Sequence, residues 1–153
     1  MISTGQTAPD FTLPRNGGAV LALSSLRPGK VVLYFYPKDD TPGCTLEAQD
    51  FTARLADFTA AGATVIGVSK DSVKAHDKFC KKHGLGIVLV SDENGTNCED
   101  YGVWLEKSMY GKTYMGIERT TVLIDGAGQV ARVWNKVSVK GHADEVLTAV
   151  RSL

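Results

Sequence analysis

Residues 31 to 44 read Val31-Val32-Leu33-Tyr34-Phe35-Tyr36-Pro37-Lys38-Asp39-Asp40-Thr41-Pro42-Gly43-Cys44. The first six form a continuous apolar run rich in β-branched and aromatic side chains, which is typical of a strand buried on both faces. Pro37 ends this strand because proline has no N–H to donate to a sheet. The polar residues after it are predicted to form a turn. The segment therefore predicts a strand, a tight turn and then a helix that has Cys44 in its first turn.

The residues after the turn repeat with the period of an α-helix, which we expect to run to Phe58. Thr41 is expected to cap this helix, with Pro42 as its first residue, because the N–H that proline lacks has no partner there in any case. Spacings of i, i+4, i+7, i+11 and i+14 place one set of apolar residues on a single helix face. This set consists of Cys44, Ala48, Phe51, Leu55 and Phe58.

Cys44 is the candidate nucleophile of the chain. At a helix start it lies beside backbone N–H groups without helical partners and at the positive end of the helix dipole, and both favour a thiolate over a thiol. The thiolate is the nucleophilic form of cysteine. A free cysteine can also be a small core residue, but the polar, constrained turn before Cys44 is more typical of a site wall than of a core.

Three of these residues also form a family signature. Pro37, Thr41 and Cys44 fit the pattern P-x-x-x-T-x-x-C, which resembles the peroxidatic signature of the peroxiredoxins. The longer string from Phe35 to Thr45 resembles the bacterioferritin comigratory protein branch, also called peroxiredoxin Q. The resemblance covers nearly the whole chain. It continues through Gly67-Val68-Ser69, Ser91-Asp92, Met109 to Lys112 and Gly116 to Thr121.

The resemblance implies an activity and the residues that carry it. The activity would be a thiol-dependent peroxidase that acts on hydrogen peroxide and organic hydroperoxides without a cofactor. Cys44 would attack the peroxide, and Arg119 would be the active-site cation, since a guanidinium stays charged and offers several donors in fixed geometry. The Thr41 hydroxyl and the backbone N–H groups near Gly43 and Cys44 would donate hydrogen bonds to the peroxide. Pro37 would shape the pocket and shield the thiolate.

The roles of two nearby side chains are open. Glu47, three residues after Cys44, could bind Arg119 or make a surface ion pair along its helix. Trp104 is expected to pack against the core rather than to form a substrate wall.

The partner of Cys44 in the reaction is the most open question. Peroxide would convert Cys44 to a sulfenic acid, which condenses with a nearby thiol to a disulfide. Many members of the branch carry that thiol five residues later, where this chain has Gln49. A subset places it in the helix that here carries Cys80, so the resemblance favours Cys80, and the acidic neighbours of Cys98 would raise its pKa and slow its attack. Cys98 and a one-cysteine mechanism that uses an external thiol remain alternatives.

Cys44 and Cys80 are predicted on separate helices, where two Cα atoms seldom lie within the reach of a disulfide. We therefore expect bond formation to require local unwinding at the first turn around Cys44 and in the helix around Cys80.

Three other functions fit parts of the sequence. A metal site could combine the cysteines with His76, His83 and His142, but zinc sites generally use closely paired ligands. We expect His76 and His83 on a helix surface, His142 at a helix start, and no metal. A thioredoxin-type oxidoreductase needs C-x-x-C, which this sequence lacks. A binding or chaperone module with an inert Cys44 would show thiol pKa values near the unperturbed value of about 8.5.

Composition narrows the class of protein. With 153 residues, 43% hydrophobic and 22% charged, we expect one globular domain over residues 1–153. Lys+Arg and Asp+Glu both number 17, so nothing argues for a nucleic-acid or membrane partner, and no apolar run approaches the roughly 18 residues of a membrane span. The first 13 residues lack a secretory pattern, and three cysteines do not suggest a disulfide framework, so we expect a cytoplasmic protein. The resemblance suggests a monomer and a thioredoxin or glutaredoxin-like reductant.

The rest of the chain completes an α/β pattern. Strands alternate with helices and are followed by a hairpin and a last helix, which predicts helices packed on a mixed sheet. This order is consistent with the thioredoxin-like fold that the resemblance implies. The predicted strands are residues 19–23, 64–69, 87–90, 119–125 and 129–135, after an extended segment at 8–13. The predicted helices after the Cys44 helix are residues 72–83, 94–101 and 142–153, and Gly62 and Gly84 are expected to end the two helices before them.

Overall fold

The computed structural model describes residues 2–153. The strands are β1 (Thr12–Pro14), β2 (Val20–Ala22), β3 (Lys30–Phe35), β4 (Ala63–Ser69), β5 (Val88–Ser91), β6 (Trp104–Met109), β7 (Lys112–Ile117), β8 (Thr120–Ile124) and β9 (Val130–Trp134). The α-helices are α1 (Pro42–Ala53), α2 (Leu55–Ala60), α3 (Val73–His83), α4 (Asn97–Asp100) and α5 (His142–Arg151), and a 3-10 helix spans Leu23–Leu26. None of these described helices is both long and apolar enough to cross a membrane.

The central sheet has five strands in the order β5-β4-β3-β8-β9. Strands β3, β4 and β5 are parallel, whereas β8 runs antiparallel to β3 and β9 antiparallel to β8. The predicted mixed sheet is therefore confirmed. The two remaining pairs, β1 with β2 and β6 with β7, form separate antiparallel ribbons.

Strand β3 lies at the centre of the sheet, and its side chains alternate between two hydrophobic clusters. Val31, Leu33 and Phe35 belong to the cluster on one face. Val32 and Tyr34 belong to the cluster on the other face, together with buried residues of α1, α3 and α5. The prediction of a strand buried on both faces is confirmed.

The predicted helix from Pro42 to Phe58 is interrupted at Arg54. Its φ and ψ of −106° and 9° are not helical, so α1 ends before it and α2 begins after it. The Arg54 guanidinium donates to the backbone oxygen of Asp50 at 2.9 Å and to the carboxylate of Asp144. This side chain caps the end of α1 and ties it to α5, which hydrophobic spacing alone did not predict.

The hairpin of β6 and β7 was missed by the sequence prediction. Most of its residues are exposed on both faces, including Met109, Tyr114 and Met115. The hairpin therefore lacks the alternation of apolar and polar residues that predicts a half-buried strand. Its turn is formed by Tyr110 and Gly111, which have φ values of 53° and 76°. Two successive residues with positive φ are the signal of a two-residue hairpin turn.

Candidate active site

The register of β3 and β8 brings together residues that lie 75 positions apart. Thr120, the first residue of β8, pairs with Phe35, the last residue of β3. Arg119 therefore precedes β8 at the same edge of the sheet at which the chain leaves β3 for the turn before α1. As a result, the Arg119 side chain reaches Cys44 in the first turn of α1.

Arg119 contacts both Cys44 and Glu47. Its Nη2 atom donates to Cys44 Sγ at 3.3 Å, and its Nη1 atom donates to Glu47 Oε1 at 2.6 Å. Burial lowers the pKa of Arg119, but the charges of Glu47 and Cys44 outweigh that effect, and the net direction is upward. A Cβ at position 43 would lie 3.3 Å from Nη2, so Gly43 leaves the space that this approach requires.

Glu47 is a buried carboxyl group that faces the Arg119 guanidinium. Its exposed fraction is 1%, so the alternative of a surface ion pair is excluded and the pairing with Arg119 is the one observed. Burial raises the pKa of Glu47 to about 7, although Arg119 acts in the opposite direction. Its second oxygen, Oε2, has no hydrogen-bond partner among the described residues. Glu47 fixes the guanidinium through one oxygen and thereby orients the other nitrogen towards Cys44.

The hydrogen bonding of Thr41 differs from the prediction. Thr41 stands at the N-cap position of α1, but its side chain makes no capping hydrogen bond. Its hydroxyl donates to the backbone oxygen of Lys38 at 2.8 Å. A hydroxyl has one proton to donate and two lone pairs that accept. In this structure the Thr41 proton is directed at Lys38 and its lone pairs are free to accept from a peroxide O–H, so donation by Thr41 to the peroxide stays a prediction.

Cys44 itself is 2% exposed. The backbone N–H groups of Gly43 and Cys44 belong to the first turn of α1, where a helix provides no internal acceptors. They remain candidate donors to a departing oxygen. Pro37 is exposed and lines an open cleft together with Trp104 and Ile117, and its shielding of the thiolate stays a prediction.

Trp104 packs as expected. It is half-buried against the hydrophobic cluster that contains Phe35, and the ammonium of Lys70 lies 4.9 Å from the centre of its ring. Its edge also contributes to the cleft beside Pro37.

The three cysteines are all free thiols and are divided between the two faces of the sheet. Cys44 belongs to the cluster on one face, and the half-buried Cys80 packs against that same cluster. Cys98 is fully buried in the cluster on the opposite face. Burial, followed by the charge of Asp92, raises the pKa of Cys98 far above that of an ordinary thiol. The sequence argument named only the acidic neighbours of Cys98, but burial is the larger cause.

The surroundings of His76 correct the sequence prediction. His76 was expected on a helix surface, but it is fully buried. Its Nδ1 lies 2.7 Å from Asp39 Oδ2 and its Nε2 lies 2.9 Å from the backbone oxygen of Val90. Because both ring nitrogens face oxygen acceptors, the geometry fits an imidazolium. Burial lowers the pKa of His76, but the hydrogen bond and the charge of Asp39 raise it overall. Asp39 also accepts from the hydroxyl of Tyr36 at 2.5 Å.

The other two histidines occupy separate environments. His83 binds Asp40, and His142 is buried at the start of α5, as expected, with its Nε2 atom 2.8 Å from Thr121 Oγ1. Within residues 2–153, no three side chains of the metal-ligating types lie close enough together to hold a metal ion.

Comparison with known proteins identifies the family. The model of the AhpC/TSA family matches residues 4–133. The curated protein Peroxiredoxin Bcp of Xanthomonas campestris is 50% identical over 94% of this chain and 89% of its own length. The solved structure of peroxiredoxin Q from the same organism superposes with a TM-score of 0.91 and 47% identity, over 99% of this chain and 96% of that chain. This chain belongs to the peroxiredoxin Q branch of the peroxiredoxins.

The peroxiredoxin assignment confirms the thioredoxin-like fold and the thiol-dependent peroxidase activity. The substrate of this protein is a peroxide, and its reductant is a thiol. A second X. campestris structure, 45% identical with a TM-score of 0.90, covers 99% of this chain and 97% of that one. It is described in terms of the alkyl peroxide reduction activity of bacterioferritin comigratory protein, with trapped intermediate and ligand complexes. The binding or chaperone alternative has no comparable support.

Proposed function

We propose that this peroxiredoxin reduces hydrogen peroxide and organic hydroperoxides by a two-cysteine mechanism. The observation that carries the proposal is the distance of 3.3 Å between Arg119 Nη2 and Cys44 Sγ, in a buried site that Glu47 completes. A guanidinium at this distance can pair with a thiolate, which is the form of cysteine that attacks a peroxide.

In the first step the Cys44 thiolate attacks one peroxide oxygen. An S–O bond forms and the O–O bond breaks, so that Cys44 becomes a sulfenic acid and hydroxide or alkoxide leaves and takes up a proton. Arg119 and the backbone N–H groups of the first turn of α1 would stabilise the charge on the departing oxygen. The activity named for the X. campestris relative, alkyl peroxide reduction, supports the inclusion of organic hydroperoxides.

In the second step Cys80 would resolve the sulfenic acid. Two observations support Cys80 over Cys98: Cys80 packs against the cluster that contains Cys44, and the sheet separates Cys98 from both. A dithiol reductant, thioredoxin or a glutaredoxin-like protein, would then reduce the disulfide.

We further propose that the enzyme acts as a monomer, because one chain supplies every residue that this mechanism uses. A cytoplasmic location is also proposed, because all three cysteines are free thiols.

Disulfide mapping tests the mechanism. The reduced protein is treated with one equivalent of hydrogen peroxide, quenched with an alkylating agent and analysed by peptide mass. We expect a peptide that links Cys44 to Cys80, its loss in Cys80→Ser, and its retention in the matched control Cys98→Ala. A link between Cys44 and Cys98 would overturn the choice of resolving cysteine. Oxidised Cys44 without an intramolecular partner would indicate a one-cysteine enzyme, and three unmodified cysteines would contradict peroxide reduction by Cys44.

A further inference from the structure

The turn between β1 and β2 contacts the helix that carries Cys80. Asn16, in this turn, donates from Nδ2 to Cys80 Sγ at 3.7 Å. The backbone N–H of Gly17 donates to Asp77 Oδ1 at 2.7 Å, which fixes the turn to the same helix at a second point. No part of the peroxide site around Cys44 contributes to these contacts.

The orientation of the Asn16 amide is fixed by its partners. Its Oδ1 atom accepts from the backbone N–H of Leu89 at 3.1 Å, and the backbone N–H of Asn16 donates to the backbone oxygen of Leu89 at 2.8 Å. Since the carbonyl end of the amide is held by an N–H donor, the NH₂ end must face Cys80. The contact with sulfur is therefore a donation from a side chain held by the sheet.

The charges around Cys80 make this donor important. Burial, followed by the charges of Asp39 and Asp77, raises the pKa of the Cys80 thiol. Two neighbours act in the opposite direction, the hydrogen bond from Asn16 and the charge of Arg15, and both come from the turn between β1 and β2. Tyr34, on the neighbouring strand β3, is also close enough to interact with the charge of Cys80, but its hydroxyl is neutral because burial raises its pKa far above the ordinary value.

We infer that Asn16 is a positioning residue for the resolving step, which holds the Cys80 sulfur in the folded helix of the reduced enzyme and stabilises the thiolate that then attacks. The inference rests on the proposed role of Cys80. In this step the Cys80 thiolate attacks the sulfur of the Cys44 sulfenic acid. The S–S bond forms as the S–O bond breaks, and the departing hydroxide takes a proton to become water.

Two variants test the role of Asn16. Asn16→Asp keeps an oxygen for the Leu89 N–H and replaces the NH₂ group with an oxygen that faces the sulfur. Asn16→Ala removes the donor without adding a charge, while the backbone hydrogen bonds still hold the turn. Asn94→Asp, at an exposed asparagine after β5, is the matched control for the change in charge.

Two readouts on the full chain separate positioning from a structural role. The first is the pH dependence of Cys80 alkylation, read by peptide mass. Its inflection should move up by about one unit in Asn16→Asp, move less in Asn16→Ala and stay in place in Asn94→Asp. The second is the rate of disulfide formation after one equivalent of peroxide, which should fall about tenfold at pH 7 in Asn16→Asp because the thiolate fraction falls tenfold.

The outcomes distinguish this inference from the proposed function. If the inflection of the Cys80 alkylation profile lies at the same pH in the wild type and in both Asn16 variants, the role of Asn16 is overturned and the two-cysteine mechanism is left intact. A wild-type protein that shows the expected inflection but forms no disulfide between Cys44 and Cys80 would overturn the resolving role of Cys80, and with it the inference.

Discussion

Two buried groups should give this protein opposing pH dependences of stability. Burial raises the pKa of Glu47 from 4.5 to about 7, and burial lowers the pKa of His142 from 6.5 to about 4. The folded state binds the Glu47 proton more tightly than the unfolded chain does, so this contribution to stability is lost as pH rises from 4.5 to 7. The unfolded chain binds the His142 proton more tightly, so that contribution is gained as pH rises from 4 to 6.5.

The two effects are of similar size. Each shift is roughly 2.5 pKa units, and one unit corresponds to about 1.4 kcal/mol, so each group changes the free energy of unfolding by about 3 kcal/mol. Because the signs are opposite, the wild-type protein should have a nearly flat stability between pH 4.5 and 6.5. Either group alone would give a steep profile.

Substituting Glu47 or His142 alone should show the pH dependence of stability that the other residue contributes. In Glu47→Gln the free energy of unfolding should rise by about 2 kcal/mol from pH 4.5 to 6.5, since the contribution of His142 is no longer opposed and about two thirds of its change falls in this range. In His142→Gln it should fall by a similar amount, and the double variant should be flat again. Urea unfolding followed by tryptophan fluorescence, at half-unit steps of pH, measures these profiles. If the profile of Glu47→Gln runs parallel to that of the wild type, the burial argument for Glu47 is refuted.

Two further substitutions probe the contacts of the site. Arg119→Lys replaces the two nitrogens that bind Cys44 and Glu47 in a fixed geometry with one ammonium on a flexible chain. Since a hydrogen bond to a charged group contributes about 1.5–3 kcal/mol, we expect the Cys44 reaction with excess peroxide to slow by at least about tenfold in stopped-flow experiments. An unchanged rate would contradict the role of Arg119. Asp39→Asn removes the charge that faces His76, so the imidazole should titrate at lower pH by NMR and the protein should lose about 3 kcal/mol of stability. A His76 titration that does not move would show that Asp39 does not set its charge.

The positions of Cys44 and Arg119 were predictable from the sequence because each residue carries a local signal, while the family resemblance supplied their expected roles. Cys44 follows a strand, a proline and a turn, and Arg119 immediately precedes a strongly apolar strand. Both signals indicate position in a secondary structure element, and the β3 and β8 ladder then brings the two residues together. The prediction placed Arg119 correctly because its location depends on one strand boundary.

Other parts of the site depend on tertiary contacts that leave no periodic signal. The ion pair of Asp39 and His76 consists of two polar residues, one in a turn and one on a helix, and each by itself indicates a surface position. The contact between Asn16 and Cys80 spans 64 residues and depends on where the turn between β1 and β2 meets the edge of the sheet. Contacts of this kind can be identified only when the packing of the strands and helices is known, because the local spacing of residues carries no information about them.

The structure also orders the two openings expected for disulfide formation. Helix α3 is well capped: Ser72 accepts from the backbone N–H of Ala75, and Gly84, in the left-handed region, donates to the backbone oxygen of Cys80. The buried pair of His76 and Asp39 fixes its middle, and breaking such a pair costs about 3–5 kcal/mol. Asp40 adds an exposed ion pair with Lys82 and a hydrogen bond with His83 at its end, and exposed contacts of this kind contribute little.

The first turn of α1 has weaker support. Thr41 makes no capping hydrogen bond, which in other helices contributes about 1 kcal/mol, and Pro42 has no N–H. Within residues 2–153, the side chain of Cys44 makes one hydrogen bond, to Arg119. The turn around Cys44 should therefore open before α3 does and carry the sulfenic acid towards Cys80. In the reduced protein, amide exchange followed by mass spectrometry should be faster in residues 45–49 than in residues 76–80, since the N–H groups in both segments have helical acceptors. Equal or slower exchange in residues 45–49 would show that the resolving helix is the moving part.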